Sequence, residues 1–230
     1  MTDLSADLGE GSPGEDELWP LITSANVACG GHTGDNASMA AAAHYARQYG
    51  VRFGAHPSYP DREHFGRQSL AIEPAALRQS LIDQLTALAS FAPVAHVKPH
   101  GALYNDAHHD RALAEIIVDA LRTIGSHLAL VAPDRSAMAA AARAAGAPVI
   151  REAFADRRYE PDGSLTPRAI AGSTLTVEEA AAQAALLVRE GIVIARDATR
   201  VAIAFDTLCI HADMPHALER LQAIRRALAQ

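Results

Sequence analysis

Residues 51–100 read VRFGAHPSYPDREHFGRQSLAIEPAALRQSLIDQLTALASFAPVAHVKPH, and this stretch decides the fold. Two short apolar runs, Val51 to Ala55 and Val94 to Lys98, flank a stretch of helical period that opens at Pro74 and runs to residue 91. Pro74 suits a first helical position, where a backbone N–H has no carbonyl to meet in any case. The spacing predicts a strand, a helix over 74–91 and a second strand, which is a β–α unit with parallel strands. Both strands run into residues that carry chemistry: His56 after the first, Lys98 and His100 at the second.

The same alternation extends in both directions. Further strands are predicted at 3–8, 22–29, 128–132, 149–154 and 207–211, making seven, with helices at 35–49, 110–124, 134–145, 176–190 and 214–228. Thr176 and Glu179 have the spacing of a capping box. Gly50, Gly125, Gly146 and Gly191 fall just past helix ends, where a left-handed cap suits glycine. In the last helix Leu218, Leu221, Ile224 and Leu228 mark the buried stripe, and Arg220, Arg225 and Arg226 fall off it. Residues 192–205 read as a small hairpin pairing 192–195 with 201–204. Three long irregular segments, 9–20, 57–72 and 156–173, each follow a strand and read as binding loops rather than linkers. The expectation is one α/β domain over residues 1–230, a TIM-like (β/α) barrel of seven strands.

Composition narrows the function. The chain has 230 residues, 49% hydrophobic and 20% charged, enough to bury a full core without disulfides. Its net charge of −7, with no block of Lys or Arg, argues against a general nucleic-acid or membrane binder and for a small-molecule or protein partner. Apolar runs such as 128–132 are far shorter than the roughly 20 residues of a membrane helix. Cys29 and Cys209 form no metal-spaced pair and follow no signal region, so they read as reduced thiols of a cytoplasmic protein.

Polar groups cluster at strand ends: Asp7 and Glu10, Asn26 and His32, His56, Lys98 and His100, Asp156, then His211 and Asp213. In a parallel barrel these ends converge on one mouth, where active sites form. Lys98 shares a strand face with His96, and a lysine turned into a barrel needs a partner for its charge. His44, His64, His108, His109, His127 and His216 read as solvated, and Met39 and Met138 as core. Gly9 to Gly14 matches G-x-G-x-x-G, but Pro13 removes a donor, and Glu10, Glu15, Asp16 and Glu17 would repel a phosphate. The sequence contains no P-loop, nucleophile elbow or H-E-x-x-H motif. Asp7, His56 and His100 are a donor set that a metal can use, at a spacing that is not diagnostic.

Longer blocks carry a resemblance: residues 7–11 (DLGEG), 24–32 (SANVACGGH), 54–61 (GAHPSYPD), 65–67 (FGR), 96–105 (HVKPHGALYN), 152–157 (EAFADR) and 206–211 (DTLCIH). From residue 3 to about 217 the chain resembles the LamB/YcsF family. The resemblance implies a barrel of the glycoside hydrolase and deacetylase type. It also implies action with two partners, 5-oxoprolinase subunits B and C, to open the lactam 5-oxo-L-proline to L-glutamate at the expense of ATP. ATP use belongs to the complex, and a nucleotide site in this chain stays open. Three positions depart from the family pattern: Ser5 for Asn, Gly31 for Phe, and Ala212 for the Gly before Asp213.

In such a site Asp7, Glu10 and Asp213 would move protons and position water, while Lys98 and His100 would stabilise oxyanion or phosphate charge. Asn26, His32, His56, Asp156, Arg157 and His211 would hold the substrate, the Arg157 fork matching its carboxylate. Two other readings compete. One is a stand-alone metal-dependent deacetylase or amidohydrolase with Asp7, His56 and His100 as ligands; the other is a non-catalytic lactam-binding subunit.

Overall fold

The computed structural model describes residues 2–229. Among them, seven parallel strands close a barrel in chain order: β1 (Asp3–Leu8), β2 (Ser24–Ala28), β3 (Arg52–His56), β4 (His96–Val97), β5 (Ala129–Ala132), β6 (Val149–Phe154) and, after an excursion, β9 (Thr207–His211), which pairs with both β6 and β1. The excursion carries the expected hairpin, β7 (Ile192–Ile194) against β8 (Arg200–Ala202), outside the barrel. Around the strands stand α1 (Asn36–Tyr49), α2 (Pro74–Ala89), α3 (Gly101–His109), α4 (Arg111–Ile124), α5 (Ala137–Ala144), α6 (Val177–Glu190) and α7 (Ala217–Leu228).

The two-residue period of the strands separates two environments. On β1, Leu4, Ala6 and Leu8 join the apolar core with helical residues such as Leu77, Leu81, Leu85, Ile117 and Leu121. Ser5 and Asp7, on the other face, take polar partners instead. Each fully buried Leu or Ile contributes roughly 1.5–3 kcal/mol, so the shell between barrel and helices supplies the stability and leaves the interior for chemistry.

Two elements lay hidden in the sequence. A 3₁₀ helix, Glu15–Leu21, occupies the segment 9–20 and buries Leu18 and Trp19. Helix α3 begins at Gly101, whose φ of 59° is left-handed. A Cβ there would stand 2.4 Å from the Gly66 carbonyl oxygen, so glycine lets the segment 57–72 lie against the helix start.

Two local expectations are corrected, and one departure from the family pattern finds its structural counterpart. Gly125 is extended, with φ near −178°, unlike the left-handed Gly50, Gly146 and Gly191. Its missing side chain instead leaves room for the His127 ring, 2.6 Å from where a Cβ would be. Arg220 is buried at 4% exposure, because α7 packs on α6 and draws its guanidinium inward toward the Leu175 and Pro215 carbonyls. The missing aromatic at Gly31 is replaced by Gln84 and Ser58, whose polar atoms fill the space that a Cβ would take.

Candidate active site

Strand register sets the site. Asp7 on β1 lies opposite Asn26 on β2, Asn26 opposite Gly54 on β3, and Gly54 opposite His96 on β4, while Asp7 also faces His211 on β9. One row around the barrel thus holds five of these positions at one level. Gly54 has no side chain in that row, and its space holds the His96 ring, whose Nε2 lies 2.1 Å from where a Cβ would be. His96 Nε2 therefore reaches across to donate to Asn26 Oδ1 at 2.9 Å, and Asn26 Nδ2 donates to Asp7 Oδ1 at 2.9 Å. The amide is oriented from one side so that it can hold a carboxylate on the other.

Lys98 is the buried centre. Its Nζ lies 2.9 and 3.0 Å from the Asp7 oxygens, 3.0 Å from Glu152 Oε1 and 3.0 Å from Cys209 Sγ, at 2% exposure. Burial opposes its charge, but Asp7, Cys209 and Glu152 together hold its pKa well above the ordinary lysine value. Burial alone would raise Asp7; His56 and Lys98 outweigh it and hold the carboxyl well below the usual range. Tyr104 Oη donates to Glu152 Oε2 at 2.7 Å, giving the second carboxylate its own support.

Beside these groups stands a cluster from three loops and the last residue of β3, His56. Glu10 Oε1 lies 3.1 Å from His32 Nε2, 3.4 Å from His100 Nδ1 and 3.8 Å from His56 Nε2. Burial pushes Glu10 up to about 7 against the pull of His56, with Asp7 and Asp213 adding to the rise. His32 stacks on His100 at 3.7 Å, and burial drives His32 down to about 2 and His100 lower still, so both rings are neutral.

Proton positions follow from the partners. His56 Nδ1 faces the Lys98 carbonyl at 2.7 Å and must donate to it, while His100 Nε2 must donate to the Phe65 carbonyl at 3.0 Å. His56 Nε2 and His100 Nδ1, 3.0 Å apart, would then face each other as two lone pairs. A cation has to sit between them, either a proton or a metal ion. A proton on His56 fits, since Asp7, 3.4 Å from Nε2, raises the pKa of that ring despite its burial.

Glu10, His32, His56 and His100 also place one donor each within 4.8 Å of one another. The parallel His32 and His100 rings, 4° apart in plane, cannot both direct in-plane lone pairs at one ion. The set open to a single ion is therefore Glu10, His56 and His100, with Asp7 alongside. The carbonyl bonds at the far nitrogens of His56 and His100 are the support that metal-bound imidazoles usually have.

On the opposite wall Asp156 accepts from the His211 backbone N–H at 2.8 Å and faces His211 Nδ1 at 3.0 Å, and the His211 ring stacks on Phe154. These groups enclose a cavity of about 470 Å³ lined by Asp7, Glu10, His56, Lys98, His100 and His211, with Arg67, Arg157, Arg168 and Asp213 toward its rim. That size suits a small-molecule site.

The sequence-derived candidates separate accordingly. Asp7, Glu10, Lys98, His56, His100 and His211 line the cavity; Asn26, His32 and Asp156 support them from behind. Three roles change. His100 spends its one N–H on the Phe65 carbonyl and so has none for an oxyanion. Asp213 is bound by Arg67 and Arg168 rather than aimed at a reacting water. Arg157 uses Nε and Nη2 on the Ser173 and Thr166 carbonyls, so that edge of its fork holds the segment 156–173 in place of a substrate carboxylate. Ala212 does not adopt a left-handed φ, so its methyl group costs the backbone nothing there.

Glu152, Cys209, Tyr104 and His96 escaped the sequence reading as site residues. A signal existed for Glu152, which shares the two-residue period of Phe154 and Asp156. Tyr104 lay in the unrecognised α3.

A family model described as LamB/YcsF matches residues 2–230. The 5-oxoprolinase A subunit of Methylococcus capsulatus is 48% identical over 238 residues, covering 99% of this chain and 92% of that one. The protein of the same name from Neisseria meningitidis serogroup A is 46% identical over 234 residues, covering 99% and 96%. A crystal structure of a lactam utilization protein from Thermus thermophilus superposes with a TM-score of 0.93 at 42% identity, covering 100% of this chain and 96% of that one.

Proposed function

Because this chain belongs to the LamB/YcsF family, we propose that it supplies the lactam-opening site of an ATP-dependent 5-oxoprolinase, working with subunits B and C to convert 5-oxo-L-proline to L-glutamate. The observation that carries this reading is the buried Lys98 between Asp7 and Glu152, at the C-terminal end of the barrel and beside two histidines whose facing nitrogens lie 3.0 Å apart.

A five-membered lactam is a poor electrophile because amide resonance must be broken. ATP spent on the carbonyl oxygen within the complex turns that oxygen into a leaving group. Lys98 stabilises the negative charge that develops there. All its N–H groups are engaged at rest, and it releases the Cys209 thiol, its weakest acceptor, to reach the substrate. Asp7 stays ionised and keeps Lys98 charged and in place. Glu10, with a pKa near neutrality, takes a proton from the attacking water, and the His56–His100 pair beside it supplies one to the departing ring nitrogen; the acyl phosphate that remains takes up a second water and releases inorganic phosphate and the free carboxylate.

The test is glutamate release from 5-oxo-L-proline by this chain with and without its two partners and ATP. Glutamate that appears only with all components supports the reading, and none from a folded, assembled complex refutes it. Loss of turnover in Asp7→Asn within that complex counts against a purely binding role.

The facing lone pairs of His56 and His100 favour one second reading, a metal-dependent amidohydrolase. Glu10, His56, His100 and Asp7 would hold a divalent ion in the proton's place, and the ion would supply a polarised water. Near-stoichiometric metal by elemental analysis, with activity lost to chelators and indifferent to ATP, would select it.

A further inference from the structure

The rim of the cavity carries more positive than negative charge. Arg67 comes from the segment 57–72 and Arg168 from the segment 156–173, and both reach the same atom, Oδ2 of Asp213, just beyond β9. The other oxygen, Asp213 Oδ1, is buried without a hydrogen-bond partner among the described residues. Arg157, the third guanidinium on this rim, is already committed to two backbone carbonyls. Two side chains with free N–H groups, 46% and 40% exposed, thus share one oxygen of one carboxylate. The Arg67 guanidinium lies 5.0 Å over the Phe65 ring, a contact that steadies it without using a donor.

Guanidinium groups bind carboxylates best two bonds at a time, and neither arginine does so with Asp213. We propose that Arg67 and Arg168 form the receptor for the carboxylate of the ligand, with Asp213 occupying it between turnovers. The ligand is a small cyclic amide bearing a carboxylate on the ring. Its carboxylate binds at the rim, and its amide lies toward Lys98 and Glu10 within the same cavity. This assignment rests on the lactam reading above and replaces Arg157 as the carboxylate partner. Displacing Asp213 loosens the contact between two loops and a strand end, so binding is coupled to the setting of the cavity mouth.

The experiment compares 5-oxo-L-proline with 2-pyrrolidinone, the same ring without the carboxylate, by calorimetric titration of the assembled complex in the absence of ATP. Wild type should prefer the acid by tenfold or more. Arg67→Gln and Arg168→Gln should each reduce that preference about tenfold while leaving the affinity for 2-pyrrolidinone within about twofold, as expected for a lost charged hydrogen bond. Asp213→Asn should tighten binding of the acid several-fold by removing the competing carboxylate.

An acid preference unchanged in both arginine variants overturns the receptor and leaves the lactam reading standing, as does equal binding of the two rings by wild type. Weaker acid binding in Asp213→Asn overturns the place-holding role. Inorganic phosphate that binds through both arginines, with no preference for the acid, overturns the carboxylate assignment in favour of a phosphate site. Binding of neither ring by the folded complex overturns the receptor together with the lactam reading.

Discussion

Gly54→Ala is the most informative single methyl group that can be added to this barrel. A Cβ at residue 54 would lie 2.1 Å from His96 Nε2 and 2.4 Å from two ring carbons, and these are atoms of a ring enclosed on all sides rather than the free end of a flexible chain. The ring must leave its place, so Asn26 Oδ1 loses its donor and the Asn26 amide loses the bond that orients it toward Asp7. Overpacking costs about 1–3 kcal/mol. The stranded Asn26 acceptor adds about 1–3 kcal/mol, for a total destabilisation of roughly 2–6 kcal/mol. His96→Ala removes the same hydrogen bond without the collision. With the ring absent, the extra methyl has nothing to strike, so Gly54→Ala should cost less than about 1 kcal/mol in the His96→Ala background. The assay is urea unfolding of wild type, both single variants and the double variant. If the costs add to within about 0.5 kcal/mol, the close approach of Gly54 and His96 is wrong, and with it the account of how Asn26 is held.

Other expectations follow from single contacts. Lys98→Ala should lower turnover of the assembled complex about a hundredfold or more, and a change within threefold refutes its electrostatic role. It should also destabilise the fold by about 3–5 kcal/mol, because Asp7 and Glu152 are left buried without their cation. Tyr104→Phe should cost about 1.5–3 kcal/mol in urea unfolding by removing the 2.7 Å bond to Glu152. Asp156 has a lowered pKa, since His211 and its backbone N–H outweigh the effect of burial. Its stabilising contribution is therefore complete above the unfolded value of about 3.9 and is lost as pH falls below it. The stability gap between wild type and Asp156→Asn should be constant above about pH 5 and close on acidification; a gap that widens refutes the assignment.

The barrel was legible because each strand carries its period and each long helix a cap or stripe. The boundaries of β1, β6 and β9 agree with the apolar runs that predicted them, whereas β4 spans only His96–Val97, although the Ala95 and Lys98 N–H groups on either side still donate to the Phe53 and Ala55 carbonyls of β3. Helix α3 was hidden because Gly101 and the adjacent His108–His109 pair disguise a nine-residue helix as a loop. In the site, the sequence identified strand ends but not partners. Arg157 carried the right chemistry for a carboxylate, yet only the path of the segment 156–173 shows which carbonyls claim its guanidinium. Glu152 shares a strand face with Asp156, but its role rests on the Lys98 ammonium 3.0 Å away, which the sequence alone does not place beside it. Arg220 shows the limit of helical periodicity, since a stripe drawn on one helix takes no account of the neighbouring helix that covers its flank.

The seam between β1 and β9 bears on how the protein is made. Thr207 and Ser5, hydrogen-bonded across that seam, are separated by 202 positions in the chain. During synthesis the first strand emerges long before its second neighbour exists, so the ring of strands cannot close until the ribosome has passed residue 211. Until then β1 and β6 are open edges, and Asp7 lacks the wall that carries Cys209 and His211. Nascent chains should therefore depend on chaperones for nearly the whole of translation, and the candidate site around Asp7 should form last and in a single step.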